Sequence, residues 1–399
     1  MRLACLGSAA LGAAALLSAT TARAAPVELD PIFVSELDFR VHSQRNVEAN
    51  DGFDVDRLRF GTRVGFTPWF RAAAQLELAA ESVHILDASV TVIPVPELEI
   101  SFGASPTPLF SSARDEPLWA LPLPELSMVT RAFWPAYDLG LEVHRLPTPR
   151  LPLEAWVRVG NGSGSALGND NSDYALDARL DAAFGRAVTG APRSVPLGLR
   201  LGAGLHAESA QSRLGVSGTT ADGFLFYRPA TVNGARYVVE GHLVAYGGPV
   251  KLTVEAALAK ENRSANLSGN LATPDVALDP VLSRGGFVEI GWMVLGPRRR
   301  HGAWPVDSPI GTWDWGALEL GARAERLGLG MGARDVQSGG ATSGSAAVRW
   351  WATSFAALSV AAYYTAYDQA PIEEPTVTRS WLGILRATVR LPEGALRQK

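Results

Sequence analysis

The sequence has little of what usually stabilises or anchors an exported protein. Cys5 is its only cysteine, and Lys251, Lys260 and Lys399 are its only lysines. Without a second cysteine no intrachain disulfide can form, so hydrogen bonding or burial must stabilise the fold. A membrane-spanning helix needs roughly 18–20 consecutive apolar residues, and after residue 24 no such run is present. If the chain crosses a membrane, it therefore crosses with strands.

Charge and motif content exclude several classes of function. The formal net charge is −4, and this balance argues against nucleic acid as a partner. No metal-binding spacing such as H-E-x-x-H is found, and the glycines around Ser163 do not form a nucleophile elbow. We therefore expect no metal, no cofactor and no enzymatic activity. The histidines are scattered through the chain at His42, His84, His144, His206, His242 and His301.

Residues 1–24 have the pattern of a secretory signal peptide. Arg2 gives a basic start, Leu3 to Ala19 is apolar and rich in small residues, and Ala22 and Ala24 occupy the positions expected before a cleavage site. The alternative interpretation of this segment is an N-terminal membrane anchor. With cleavage after residue 24, residues 25–399 form one domain, because neither a linker nor a low-complexity tract divides them.

The dominant pattern is an alternation of apolar and polar residues with a period of two. In 57–66 the apolar residues Leu58, Phe60, Val64 and Phe66 share one face of an extended strand, and arginines share the other. The lumen of a membrane barrel can accommodate such a row of charges. The same pattern predicts about sixteen strands, near 33–42, 55–66, 70–80, 84–93, 98–104, 137–146, 152–160, 174–184, 196–206, 236–246, 250–260, 285–295, 315–327, 344–352, 355–365 and 380–391.

Connections between these segments alternate mostly between short and long. Short turns on one side and long loops on the other are typical of bacterial outer-membrane barrels. We therefore predict an all-β fold, a transmembrane antiparallel barrel of about sixteen strands in the cell outer membrane. A soluble secreted β protein is the alternative, but a dry core would leave many inward charges unsatisfied.

Aromatic residues predicted to form interfacial girdles are Trp69, Phe70, Phe133, Trp134, Tyr137, Trp313, Trp315, Trp350, Trp351, Tyr363, Tyr364 and Trp381.

Several short motifs follow one another along nearly the whole exported chain. They lie at 52–61, 86–90, 98–110, 131–140, 161–171, 315–323 and 348–352. Their order and spacing resemble the phosphate-selective porin O and P family. This resemblance implies a sixteen-stranded, trimeric outer-membrane porin that passes small anions by diffusion. In that family lysines lie near the constriction of the phosphate-binding members, whereas segment 105–136 of this chain contains no lysine.

Charged side chains of inward parity are the candidate functional residues. Arginine suits an anion path because its guanidinium stays charged and offers several donors to oxyanions. Inward carboxylates face the same lumen, so the charges either create a transverse field or pair across strands. The candidate pore-lining arginines are Arg57, Arg59, Arg63, Arg71, Arg158, Arg179, Arg200 and Arg323. The candidate constriction residues are Arg114, Asp115, Glu116, Glu125 and Arg131.

Two connections carry further predictions. Segment 105–136 is the longest and is apolar in its middle, so we expect it to fold against the inner wall; an external lid is the alternative. Residues 298–301, Arg-Arg-Arg-His, are interpreted as a solvated periplasmic turn or a contact for anionic partners.

The predicted function is a passive porin whose partners are small anions or hydrophilic solutes and the lipid of the outer membrane. A barrel with a plugged lumen, serving as a receptor, adhesin or structural protein, is the alternative.

Overall fold

A computed structural model describes residues 27–392, except for 44–50, 80–81, 149, 163, 165, 167, 170–172, 193, 222, 266–274, 308–314 and 372–375. The predicted signal peptide and residues 393–399 lie outside the described part.

Sixteen strands form a closed antiparallel barrel, in which the first strand pairs with the last. This confirms the predicted fold class. The first nine strands are β1 Glu28–His42, β2 Gly52–Thr67, β3 Phe70–Ala79, β4 Ser82–Val95, β5 Leu98–Pro106, β6 Tyr137–Arg145, β7 Leu153–Gly160, β8 Ala175–Gly185 and β9 Leu197–Leu214. A separate hairpin, β10 Gly218–Thr219 with β11 Leu225–Tyr227, precedes the others. These are β12 Thr231–Gly247, β13 Val250–Ala265, β14 Val276–Leu295, β15 Ala317–Met331, β16 Gly339–Trp351, β17 Ala356–Tyr367 and β18 Arg379–Arg390.

Strand boundaries agree best with the sequence pattern at the end of the barrel that carries the tight turns, here called the periplasmic end. At the opposite, external end several strands continue beyond the predicted bounds. β9 runs to Leu214 and β14 begins at Val276. The predicted strands 196–206 and 236–246 leave 207–235 as a connection, but most of it belongs to β9, β12 and the β10–β11 hairpin.

The exterior is apolar, because alternate residues of each strand point away from the lumen. Leu180, Leu258 and Val360 are more than half exposed. Trp69, Trp315, Tyr364 and Trp381 are exposed near strand ends, as an interfacial girdle requires. Phe133, Trp351 and Tyr363 were also predicted for the girdles, but they are buried inside the lumen. Trp313 lies outside the described residues.

A long connection between β5 and β6, residues 107–136, is called the inner loop. It contains helix α1, Ser111–Arg114, a 3₁₀ turn at Leu118–Ala120 and helix α2, Met128–Phe133. Ser127 caps α2, since its hydroxyl accepts a hydrogen bond from the amide of Thr130. No helix in the described part of the chain is long and apolar enough to cross a membrane.

An apolar cluster inside the barrel joins the inner loop to the external hairpin. Leu109, Val129 and Phe133 of the loop pack with Phe226 of the hairpin and Leu327 of β15. Burial of these side chains stabilises the loop inside the barrel, because water is excluded from both surfaces.

Candidate functional site

The inner loop crosses the lumen and is hydrogen-bonded to the barrel wall. Arg299 donates to the carbonyl of Ala120 at 2.6 Å, and Arg386 donates to that of Pro124 at 2.7 Å. The hydroxyl of Tyr363 accepts from the amide of Glu125 at 3.1 Å. These contacts place the loop against the inner wall, so the alternative of an external lid was wrong.

Two glycines make room for the loop on the wall. Gly291 of β14 and Gly321 of β15 face inward beneath Pro122. A Cβ at either position would lie 3.1–3.2 Å from an atom of Pro122, which is closer than ordinary van der Waals contact. Larger side chains there would therefore push the middle of the loop toward the centre of the lumen.

Asp115 anchors one end of the loop. Its carboxylate accepts two hydrogen bonds from Arg179 of β8, at 2.5 and 3.2 Å, and lies 3.7 Å from Arg200 of β9. Burial opposes the ionisation of this carboxyl, but Arg179, together with His301 and Arg200, holds the pKa of Asp115 well below its usual value. The group therefore stays charged and attached across the physiological pH range.

Glu116 makes a second anchor. The ammonium of Lys251 lies 2.6 Å from its carboxylate, and Arg299 and His301 lie 3.9 and 3.5 Å away. Burial raises the cost of its charge, but Lys251, His301 and Arg299 together outweigh that effect and lower the pKa of Glu116. Both acids are candidate constriction residues from the sequence, and the structure places their carboxylates between the loop and the wall.

Backbone amides of the loop are also satisfied by wall carboxylates. Glu255 of β13 accepts from the amide and the hydroxyl of Ser112, each at 2.7 Å. Glu325 of β15 accepts from the amide of Met128 at 2.7 Å. Because Met128 is the first residue of α2, its amide has no partner within the helix. These wall acids therefore supply the hydrogen bonds that the loop lacks internally.

We call the inner faces of β7–β9 and β12–β18 the closed wall. Four of the predicted pore-lining arginines lie there, at Arg158, Arg179, Arg200 and Arg323, and each is at least 96% buried. Arg158 bonds the carbonyls of Ser105 and Asp138, and Arg323 bonds that of Glu125. All four face inward, as their parity predicts, and three of them, Arg179, Arg200 and Arg323, contact the inner loop. Their role as pore-lining residues remains a prediction.

The inner faces of β2–β4, which we call the open wall, differ in exposure. The Arg57 side chain is 15% exposed and pairs with Glu36 and Glu77 at 2.6 and 2.8 Å. Arg59 also pairs with Glu77, at 2.6 Å, and its guanidinium lies 5.0 Å from the ring of Trp119 in the loop. Arg57 is therefore less fully covered than the arginines of the closed wall.

Two further arginines of the open wall lie toward the periplasmic end. Arg63 is exposed, and no carboxylate lies within 4.0 Å of it among the residues that the structure describes. Arg71 has a side chain that is 58% exposed and a long contact of 3.5 Å to Glu99. Both guanidinium groups are therefore available to ions in water.

The loop contributes three charged residues that are not fully covered. Arg114 pairs with Glu142 of β6 at 2.8 Å, and its side chain is 21% exposed. Arg131 is partly exposed and has no ion pair within 4.0 Å in the described ranges. Glu125 lies 2.6 Å from Arg386 and 3.3 Å from Arg40. Burial, followed by the nearby carboxylate of Asp56, raises the pKa of Glu125.

Asp38, Asp56 and Glu125 bring carboxylate oxygens close enough together to suggest a metal site. Two guanidinium groups already occupy this cluster: Arg386 contacts all three acids, and Arg40 bonds Asp56 and contacts the others. The arginines thus neutralise the carboxylates, and the cluster is explained as an ion-pair network.

A segment from the periplasmic side also enters the barrel. Arg299, predicted to lie in a solvated turn, is buried and bonds both carboxylate oxygens of Glu319, at 2.6 and 2.8 Å. His301 is fully buried beside Tyr246. Trp304 stacks edge-on against Trp351 with 4.6 Å between ring centroids. The prediction of a solvated turn was therefore wrong for this part, which packs inside the barrel against the inner loop and the wall.

Sequence reasoning missed several anchoring residues. Arg349 is fully buried, bonds the carbonyl of Leu121 and stacks on Trp351. Arg386 joins the loop to β1. The alternation of β16 and β18 points both arginines inward, so their direction was available from the sequence. Their partners were not, because they lie more than two hundred residues away.

Comparisons with known proteins give a likeness in structure alone. No family model and no curated protein matches the chain. An anion-selective porin from Comamonas acidovorans superposes with a TM-score of 0.57 at 11% identity, covering 92% of this chain and 100% of that one. OmpT, an outer membrane protein of Vibrio cholerae in a trimer form, gives 0.55 at 12% identity, covering 92% and 99%.

The outer membrane channel DcaP of Acinetobacter baumannii gives a TM-score of 0.51 at 10% identity, covering 92% of this chain and 97% of that one. At such identities the likeness extends to the fold. Together with the closed barrel and its apolar exterior, it identifies the chain as a β-barrel of the outer-membrane type.

Proposed function

We propose that this chain is an outer-membrane porin through which small hydrophilic solutes and ions diffuse along the open wall. One observation carries the proposal: Arg57, Arg63 and Arg71 on the inner faces of β2 and β3 stay partly exposed, whereas the candidate arginines of the closed wall are covered. Water-filled passages need such polar surface, whereas a dry core would have to neutralise it. The proposal involves no catalytic step and no cofactor.

We further propose a mild preference for anions. Most charges beside the passage are paired, which cancels their field at a distance. Arg63 and Arg131 have no ion-pair partner within 4.0 Å among the described residues. Unpaired cations at two levels of the passage would concentrate anions there.

Membership of the phosphate-selective porin O and P family and a trimeric assembly are also proposals. The order of the sequence motifs supports the first. The trimer form described for OmpT of Vibrio cholerae supports the second. Phosphate selection receives no support from the inner loop, which contains no lysine.

Planar-bilayer recording tests the proposal directly. Pure protein should give stepwise conductance, and a salt gradient should give a zero-current potential of the sign that anion flow produces. Repeating the gradient with added phosphate tests phosphate selection. A block of the current or a shift of the zero-current potential at low phosphate concentration supports it, whereas a response no different from that to other salts contradicts it. A folded barrel that never gives conductance steps would contradict the porin proposal itself.

The extent of packing on the closed wall favours a second candidate, a barrel with a plugged lumen that acts as a receptor, adhesin or structural protein. The inner loop enters from outside and residues 299–306 enter from the periplasmic side. The same recordings separate the two candidates, because a plugged barrel gives no steps until the loop is released.

A further inference from the structure

Charge on the exterior of the barrel is concentrated toward the external end, where Arg379 faces outward from β18 and three neighbouring cations face outward from β13–β15. Among the described strand residues of β2–β9, the charged side chain that faces outward is Arg145, near the periplasmic end. In contrast, Lys260, Arg284 and Arg326 face outward from the three neighbouring strands β13–β15. Each of the three side chains is exposed, and the residue next to it in the strand points inward, as expected for an outward-facing position. A lipid-facing cation is costly at the membrane midplane, so this grouping requires an explanation.

Strand register makes the three cations neighbours. Leu258 is the cross-strand partner of Arg284, so Lys260, two residues further along β13, lies diagonal to Arg284. Gly286 is the partner of Arg326, so Arg284 also lies diagonal to Arg326. Diagonal positions on one sheet face are within reach of long side chains. The cations therefore form one patch across three strands.

A groove of about 880 Å³ runs beside this patch on the outer surface. Its floor is formed by small residues, so the sheet is not covered by side chains there. Arg284 and Arg326 border it together with apolar side chains. The outward-facing lining consists of Val239, Gly241, Ala256, Leu258, Arg284, Gly286, Arg326, Gly328 and Met331.

Aromatic side chains fix the depth of the patch. Tyr237 is 43% exposed on the exterior and is the direct cross-strand partner of Lys260. Ala324, two residues before Arg326, pairs with Gly344 of β16, and Gly344 pairs with the exposed Tyr364 of β17. Ala324 and Tyr364 therefore lie at the same height on the barrel. Tyrosines in this position mark the boundary between hydrocarbon and head groups. The patch thus lies at the head-group level of the external leaflet.

The patch has an excess of positive charge. Arg326 is paired with Asp368, with hydrogen bonds of 2.7 and 2.5 Å. Neither Lys260 nor Arg284 has a carboxylate within 4.0 Å in the part of the chain that the structure describes. A phosphate group supplies the missing negative charge, and phosphate-bearing lipids present it at this depth.

We propose that the groove binds a phosphorylated lipid of the external leaflet. Its phosphate lies against Lys260 and Arg284, with Arg326 beside them. An acyl chain lies along the glycines and alanines of the floor, where it contacts backbone and small side chains closely. The proposal requires only that the barrel spans the outer membrane, so it is independent of whether the lumen conducts.

Native mass spectrometry of the full barrel tests this proposal. The protein is released from phosphatidylcholine vesicles that contain a small fraction of lipid A, a bis-phosphorylated lipid, or of the same lipid after dephosphorylation. Wild-type protein should retain lipid A and not the dephosphorylated form. The double variant Lys260→Ala/Arg284→Ala should bind lipid A about tenfold more weakly or worse.

Arg145→Ala is the matched control, because it removes an outward arginine at the other end of the barrel. It should retain lipid A like the wild type. A normal heat-dependent gel shift shows that each variant is folded. Equal retention of the two lipids, or no loss in the double variant, would overturn the proposal. If the double variant alters the oligomeric state instead, the patch is a subunit interface and the lipid proposal fails.

Discussion

The open and closed walls carry the same kind of residue and use it differently. Arg57 and Arg179 are both inward arginines of strands, and both contact two carboxylates. Arg179 is fully covered by the inner loop, whereas Arg57 stays partly exposed. An inward arginine is therefore an anchor or a pore charge according to whether the loop covers it, and strand parity alone does not distinguish the two.

Energetics follow from the same difference. A buried ion pair is expensive to break, because the remaining charge has neither partner nor water. An exposed pair contributes little, because water solvates each member. Mutations on the closed wall should therefore change stability, and mutations on the open wall should change ion flow.

The largest effect is expected for Arg179→Ala on the closed wall. This change removes the guanidinium that lies 2.5 Å from both Asp115 and Asp181, so that these acids share only the arginine at 200, and it removes the stacking on Trp156. We expect a loss of about 3–5 kcal/mol in the free energy of unfolding, measured by urea titration in lipid vesicles. Arg71→Ala, on the open wall, is the control and should lose less than about 1 kcal/mol. Equal losses would remove the distinction between the walls.

A second large effect is expected for Trp304→Ala. Trp304 is buried against Trp351, and its indole nitrogen donates to the carbonyl of Thr353 at 2.9 Å. The variant should lose about 3 kcal/mol of stability through the cavity that it leaves, and single-channel current should become noisier as this packing loosens. Trp315→Ala, at an exposed tryptophan, should change neither quantity.

Charge reversal on the open wall should act on selectivity instead. The double variant Arg57→Glu/Arg59→Glu replaces two cations beside Glu77 with acids. The zero-current potential in a salt gradient should move toward cation preference, because the local field changes sign. Arg145→Glu, on the exterior, serves as the control. An unchanged potential in the double variant would mean that these side chains do not face the conducting path.

The smallest effect is expected from pH. Burial and Asp56 raise the pKa of Glu125, so over a mildly acidic range this group loses its charge before carboxyls of ordinary pKa do. Loss of a negative charge beside the passage should slightly increase anion preference. The ion pair that anchors the inner loop at Asp115 stays intact over the same pH range, because the pKa of Asp115 is held well below its usual value. The Glu125→Gln variant should already have the slightly higher anion preference at neutral pH, and its zero-current potential should not change further as the pH falls. If the variant still responds to pH, another group is responsible for the titration.

Much of the barrel was predictable because its determinants are local. Alternation identified every barrel strand, and Gly and Pro located the turns at the periplasmic end, such as the one before Val250. The external ends were harder. β9 and β14 rise beyond the apolar band, where lipid no longer demands an apolar outer face and the periodic signal weakens.

The site was predictable only in part because its determinants are distant in sequence. Parity indicated that Arg179, Arg200 and Arg323 point inward, but nothing local indicates that residues 107–136 contact them. Arg299 lies in a run of charge that is typical of a solvated turn, yet it bonds Glu319 and Ala120 inside the barrel. Such pairings emerge only once the barrel has closed.

Arg386 also has a consequence for the order of assembly. It lies on β18, bonds Asp38 across the seam to β1 and donates to Pro124 of the inner loop. The first and last strands therefore meet through the same guanidinium that holds the loop in place. During insertion, pairing of β1 with β18 and docking of the inner loop must therefore be completed together. A barrel whose first and last strands have not yet paired also lacks the final shape of its lumen.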